Sequence, residues 1–169
     1  SKDYLGAISY YSQAIKENPQ AFSPYLKRST AYQKLKNNDK AKADISSAFS
    51  IATEKGKRVD IGLCYFKLGL VYYQEKKVKL SLTQFEKAVE YDCKEPTLSM
   101  WKAKAEYDLK NHPEWNVEGD KEEDDDIDLI LGVENEYTQS MANTEKDKSH
   151  EPKIVELDAN EESSEKKSN

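Results

Sequence analysis

The chain is poor in the residues on which most site chemistry depends: 169 residues include two cysteines, two histidines and six glycines. Cys64 and Cys93 cannot make a disulfide framework, and neither has a Cys or His nearby at metal-ligand spacing. Both read as ordinary helix residues in a reducing compartment. His112 and His150 stand apart from any Ser, Cys or Asp constellation that would supply a nucleophile and its base. The glycines are scattered, with no GxxxxGK or GxGxxG phosphate loop. No stretch has the Asp-x-Asp-x-Asp-Gly order of a calcium loop. An enzyme is not expected, and neither a cofactor nor a metal is implied. No apolar run approaches the roughly 20 residues needed to span a bilayer, and no signal-peptide pattern opens the chain. The expectation is a soluble intracellular protein without membrane contact.

What is present is unevenly spread. Of the whole chain, 37% is hydrophobic and 34% charged. Residues 1–111 carry 20 Lys+Arg against 13 Asp+Glu, a net of +7, and residues 112–169 carry 6 against 19, a net of −13. The overall −6 therefore conceals a basic half joined to an acidic one. Ten of eleven tyrosines and all four phenylalanines precede residue 112. This divides the chain into a folded domain, 1–111, and an acidic disordered linker or tail, 112–169.

Within the first part the sequence repeats. Ala7, Tyr11 and Ala14 recur 34 residues later as Ala41, Ile45 and Ala48, and 40 residues after that as Ser81, Phe85 and Ala88. The same offset of 40 carries Tyr25, Ser29 and Tyr32 onto Tyr65, Gly69 and Tyr72. Three units follow, with six extra residues between the second and third. A period of 34 residues in helix-turn-helix form is the signature of the tetratricopeptide repeat, and these residues resemble that family's pattern. Tyr25/Tyr65, Leu68-Gly69, Tyr32/Tyr72, Tyr11/Phe85 and Ala14/Ala48/Ala88 carry the match, with Pro19 at a closing proline. Arg28-Ser29 in place of Leu-Gly, and Ser81 in place of Ala, depart from it. The resemblance implies an all-α solenoid of antiparallel helix pairs.

Local signals set the register. Ser23-Pro24 predicts an N-cap followed by proline at the first helical position. Asn37-Asn38-Asp39 predicts the turn inside unit two, and Gly56 a left-handed helix end. The extra residues from Lys57 to Ile61 predict a longer next helix or its entry. Thr97 to Leu109, with Leu98, Trp101, Ala105 and Leu109 at helical spacing, reads as a capping helix. Ser1 falls in the loop before the second helix of unit one, so the first helix of that unit is expected to lie in a longer protein. Ile8, Tyr11 and Ile15 would then face nothing.

After Asn111 the periodicity stops. Glu118 to Asp126 is an acid run, and Ile127–Leu131 and Ile154–Leu157 are short apolar islands. Both islands resemble the motifs that add a strand to small ubiquitin-like modifiers. An inert linker is the favoured reading.

Such solenoids bind partners on a concave face lined by the first helix of each unit. By register the inward residues are Ser23, Leu26, Lys27, Thr30, Gln33 and Lys34 in unit two and Leu63, Phe66, Lys67, Leu70, Tyr73 and Gln74 in unit three. Of these, Leu26, Lys27, Thr30, Lys34, Leu63, Phe66, Lys67 and Leu70 are the candidate lining for an acidic partner with apolar anchors. Nucleic acid is disfavoured, because the lysine clusters fall at inter-helix turns and an acidic tail is tethered beside them. Chaperone-clamp members of the family hold a terminal carboxylate with an Asn in unit two and a Lys-Arg pair in unit three. Lys27, Leu63 and Lys67 stand there, so that clamp is disfavoured.

The run GKRVDIGLCYFKLGLVYY, then SLTQFEKA, then EPTLSMWKAKAEYDL is similar to the N-terminal domain of the SGT-one co-chaperones, especially fungal ones, over about Asp3 to Leu109. That resemblance implies a scaffold in cytoplasm and nucleus that binds the SCF ubiquitin-ligase adaptor (the S-phase kinase-associated protein) and can form a homodimer. It also implies roles in ubiquitin-ligase and kinetochore assembly. The ninety-kilodalton heat-shock chaperone would be recruited by a CS domain outside this sequence. A tetratricopeptide receptor for chaperone C-terminal peptides is the alternative.

Overall fold

The computed structural model describes residues 2–115. Six helices follow one another: α1 Tyr4–Glu17, α2 Phe22–Lys34, α3 Asn38–Glu54, α4 Arg58–Gln74, α5 Val78–Glu90 and α6 Leu98–Asn111. A 3-10 turn, Pro113–Trp115, closes the described part. Each helix packs on its sequence neighbours, and α2 also touches α4. That is the contact pattern of helix pairs stacked in one direction.

Helix ends explain the stacking. After α2, α3, α4 and α5 one residue takes a left-handed conformation: Lys36 (φ 58), Gly56 (φ 61), Lys76 (φ 65) and Asp92 (φ 56). In each case its amide bonds back to the second-last helical carbonyl, and the next amide reaches the carbonyl one residue deeper. Lys36 N donates to Gln33 O and Asn37 N to Tyr32 O, and Lys76 N donates to Tyr73 O and Lys77 N to Tyr72 O. These are Schellman closures, which satisfy the orphan carbonyls and reverse the chain within three residues. Asn37 then caps α3, accepting from Lys40 N at 3.4 Å.

Two local expectations are corrected here. Ser23 does not cap α2; Ala21 does, without a side-chain bond, and Pro24 lies inside the first turn. Proline is tolerated there because first-turn amides have no intrahelical partner. The unit-two turn is Leu35–Asn37, and Asn38 and Asp39 already belong to α3.

The six extra residues are divided between two helices. α3 and α4 each run 17 residues, whereas α2 and α5 run 13. Offsetting α2 and α5 by the 40-residue period shows one added turn at the end of α3 and one at the start of α4. Arg58, in that added turn, donates to Glu90 O at 2.6 Å and lies over the Tyr91 ring at 4.7 Å. Gly62 brings α4 close to the end of α5: a Cβ there would sit 3.0 Å from Tyr91 O.

The core runs through α3, α4 and α5, with Ala41, Ala48, Cys64, Tyr65, Phe85 and Ala88 fully buried. Small residues at the close approaches let the aromatic rings interleave, as in the edge-to-face pair Phe49–Tyr65 at 5.5 Å. No residue of α1 is fully buried. Ile8, Tyr11 and Ile15 are nonetheless half-covered, because α1 packs on α2. Arg28 stands where unit three has Leu68. It grips the buried Asp44 with two bonds (2.8 and 2.6 Å) and reaches Ser12 Oγ at 2.9 Å, tying α1, α2 and α3 together.

Beyond Asn111 the chain still packs. The Trp115 ring stacks on His112 at 4.1 Å and joins the edge of the core. Glu118–Asp126 and both apolar islands lie outside the described residues.

Candidate functional site

The α2–α4 contact opens into a concavity of about 620 Å³ that α6 closes on one side. α2 contributes Thr30, Gln33 and Lys34, and α4 contributes Phe66, Lys67, Leu70, Tyr73 and Gln74. Lys76, Glu95, Thr97 and Trp101 complete the rim. Residues of α4 at intervals of three and four share one face, which is why 66, 67, 70, 73 and 74 meet there.

Five of the eight residues chosen from the sequence therefore share one surface: Thr30, Lys34, Phe66, Lys67 and Leu70. The other three do not line it. Leu26 is buried in the core at 5% exposure, Lys27 is exposed elsewhere, and Leu63 is half-buried outside the lining. Phe66 needs a further correction. At 2% exposure it is a core side chain, tilted against Phe85 at 5.9 Å, and only its margin faces the groove. The reason is that α4 is apolar on nearly every side, so register alone does not separate its core face from its groove face.

Tyr73 follows from the register of unit three, whereas the capping-helix residues and Lys76 do not. Trp101 and Thr97 lie one 34-residue period after Lys67 and Leu63, so the capping helix supplies the face a fourth unit would supply. That period was the signal. Tyr73 packs edge-on against Trp101 at 5.3 Å, and its hydroxyl donates to Asp108. Lys104 Nζ pairs with the same carboxylate at 3.3 Å. The Tyr73 and Lys104 bonds hold Asp108 below the usual carboxylate range, while burial and that hydrogen bond raise Tyr73. Lys76, in the α4–α5 turn, holds its ammonium 4.3 Å from the centre of the Trp115 ring.

Lys67 is the electrostatic centre of the groove. Burial lowers its pKa, and Lys34 adds to that lowering, while Glu95 opposes it. Among the described residues Lys67 makes no ion pair, and its ammonium lies 6.0 Å from the centre of the Phe66 ring. A desolvated ammonium of this kind gains when an anion enters. Gln74 Nε2 donates to Gln33 O at 3.2 Å and holds the floor of α2 and α4 together. The set offers cations, an amide and aromatic edges, which suit the binding of an acidic, partly apolar chain. Among the described residues no group of three His, Cys, Asp or Glu could hold a metal ion, and no helix is long and apolar enough to cross a membrane.

Comparison with known sequences agrees with the helix pairs. The family model for the tetratricopeptide repeat matches residues 22–55 and 63–92, the α2–α3 and α4–α5 pairs. With six helices in this order, the described fold is an all-α tetratricopeptide-repeat solenoid. The chain is also 28% identical over 136 residues to the small glutamine-rich tetratricopeptide repeat-containing protein 2 of Saccharomyces cerevisiae. That alignment covers 79% of this chain and 38% of the length of the relative.

Proposed function

We propose that the α2–α4–α6 groove is a protein-binding site of a co-chaperone scaffold, and that it takes an acidic, apolar-anchored segment of the SCF ubiquitin-ligase adaptor. The observation that carries this is the half-buried Lys67 ammonium, unpaired among the described residues, beside Leu70 and Trp101 and flanked by Lys34 and Lys76. The repeat match and the yeast relative support an interaction module without catalysis. The resemblance to the SGT-one family supplies the named adaptor, the linkage to the ninety-kilodalton chaperone through a domain outside this sequence, and a setting in ubiquitin-ligase and kinetochore assembly in cytoplasm and nucleus. The inference about homodimers rests on the same resemblance.

The test is calorimetry of the adaptor with the chain and with Lys34→Glu/Lys67→Glu. Phe66→Ala is avoided because it would open a core cavity and cost about 3–5 kcal/mol of stability. Affinity should fall at least tenfold in the double variant, and should fall in wild type as salt rises. Unchanged affinity would remove the groove assignment.

A further inference from the structure

The described chain ends at the groove it has just built. α6 forms one wall with Thr97 and Trp101 nearby, the chain turns at His112, and Trp115 comes to rest under Lys76, itself a lining residue. The residues that follow are tethered at Trp115, whose ring lies 4.3 Å from the ammonium of that lining lysine. Glu122 to Asp126 are five consecutive acids, and Ile127, Leu129, Ile130 and Leu131 follow with one more acid, Asp128, among them. No cation lies between residues 122 and 131.

We propose that residues 122–131, EEDDDIDLIL, occupy the α2–α4–α6 groove of their own chain and compete there with the external partner, a proposal that rests on the groove being the partner site.

Charge favours it. The groove presents Lys34, Lys67 and Lys76 against the single lining carboxylate of Glu95, and the segment carries six carboxylates. An anion against Lys67 would supply the ion pair that the described residues do not give it. Apolar matter also matches: Leu70, Trp101 and the margin of Phe66 face the concavity, and the island offers four branched aliphatic side chains. Reach is ample. Eleven residues separate Trp115 from Ile127, an extended length of about 40 Å at most. A short tether sets an effective concentration of about 1 mM. A segment with a Kd of about 0.1 mM in trans would then be about nine-tenths bound in cis.

The probe is a fluorescein-labelled synthetic peptide of residues 120–133, titrated by anisotropy against intact chains. Wild type is compared with an island variant, Ile127→Ser/Leu129→Ser/Ile130→Ser/Leu131→Ser, and with that variant carrying Lys34→Glu/Lys67→Glu. The island variant should bind the peptide about tenfold more tightly than wild type, and the lysine changes should abolish binding. Thermal melts check folding, with Lys67→Gln as the milder second variant. Replacing the second island by Ile154→Ser/Val155→Ser/Leu157→Ser should leave peptide affinity at the wild-type value, and relief by that change would overturn the assignment. Equal affinity for wild type and island variant, or no binding to the island variant, overturns it too. So does sedimentation in which wild type, but not the island variant, gains mass with concentration, since the segment then pairs between copies. Adaptor titrations separate the two readings. Adaptor binding that depends on Lys34 and Lys67 but not on the island retains the groove and removes the cis segment, whereas adaptor binding indifferent to the lysines removes the groove itself.

Discussion

The ring of Phe85 fills the space that a side chain at Gly69 would need. A Cβ built at Gly69 would lie 2.6 Å from Phe85 Cε1 and 2.7 Å from Cδ1, and Phe85 is completely buried, so the ring has nowhere to retreat. Ser81 Oγ, beside it on α5, donates to Gly69 O at 2.8 Å. At this contact α4 and α5 pack directly on one another.

Gly69→Ala should therefore lower stability. Overpacking costs about 1–3 kcal/mol, against a gain of about 1 kcal/mol in helix propensity. A net loss of up to about 2 kcal/mol corresponds to a Tm lower by up to about 10 °C for a domain of this size. Adding Phe85→Leu should restore part of it. Calorimetric melts check the order, and a raised Tm in the single variant would remove the steric account.

A second relationship distinguishes units two and three. Arg28 and Asp44 form a two-bond ion pair with Asp44 buried, and the same positions in unit three hold Leu68 and Gln84. Arg28→Leu leaves the Asp44 carboxylate buried without its cation, at a cost of about 3 kcal/mol. Arg28→Leu/Asp44→Gln installs the unit-three pair and should recover most of that loss. Urea unfolding of the four proteins in the cycle measures the coupling, and simple additivity would contradict it.

Left-handed helix ends give a third prediction. Lys36 holds φ 58 with a side chain, whereas Gly56 does so without one. Lys36→Gly should stabilise by up to about 1 kcal/mol, and Gly56→Ala should destabilise by about 1 kcal/mol. Opposite shifts in urea midpoint are expected, and shifts of the same sign would argue against the backbone explanation.

The fourth concerns pH. The Tyr73 hydroxyl, followed by Lys104, holds Asp108 below its ordinary pKa in the folded chain. The folded state thus binds that proton less readily than the unfolded chain, whose value is about 4. The stabilisation is complete above that value and is lost as pH falls through the lower folded one. Tyr73→Phe should unfold in acid at a higher pH than wild type, and the difference in urea midpoint between the two should shrink below about pH 4. A difference that stays constant from neutral to strongly acidic pH would disprove the linkage.

The helices, their pairing and the Leu68-Gly69 and Phe85–Ala88 close approaches were legible from residue spacing. A helical period obliges the apolar side of each segment to seek a partner, and the 34-residue repeat says which partner. Helix starts and turns were less legible. Asn37-Asn38-Asp39 carries a strong turn preference, but the Schellman closure at Lys36 completes the turn by Asn37, and α2 starts at Phe22, one residue ahead of Ser23-Pro24. The groove was partly legible. Thr30, Gln33, Lys34, Lys67, Leu70, Tyr73 and Gln74 follow from register, whereas Ser23, Leu26, Lys27 and Leu63 lie outside it. Phe66 belongs chiefly to the core, and Lys76, Glu95, Thr97 and Trp101 come from elsewhere in the fold.

By itself the sequence determined that this chain makes helix pairs stacked by a repeating close approach, with a net positive charge over residues 1–111 and a net negative one over residues 112–169. Only the tertiary structure decided which side of α4 is core and which is groove. α4 is apolar nearly all round, so the choice belongs to its neighbours: α3 and α5 claim Tyr65, Leu68 and Phe66, while α2 and α6 stand far enough apart to leave Lys67, Leu70 and Tyr73 facing a space. The same packing brought Trp101 and Lys76 to that space, and set Phe85 against a glycine that has no atom to spare.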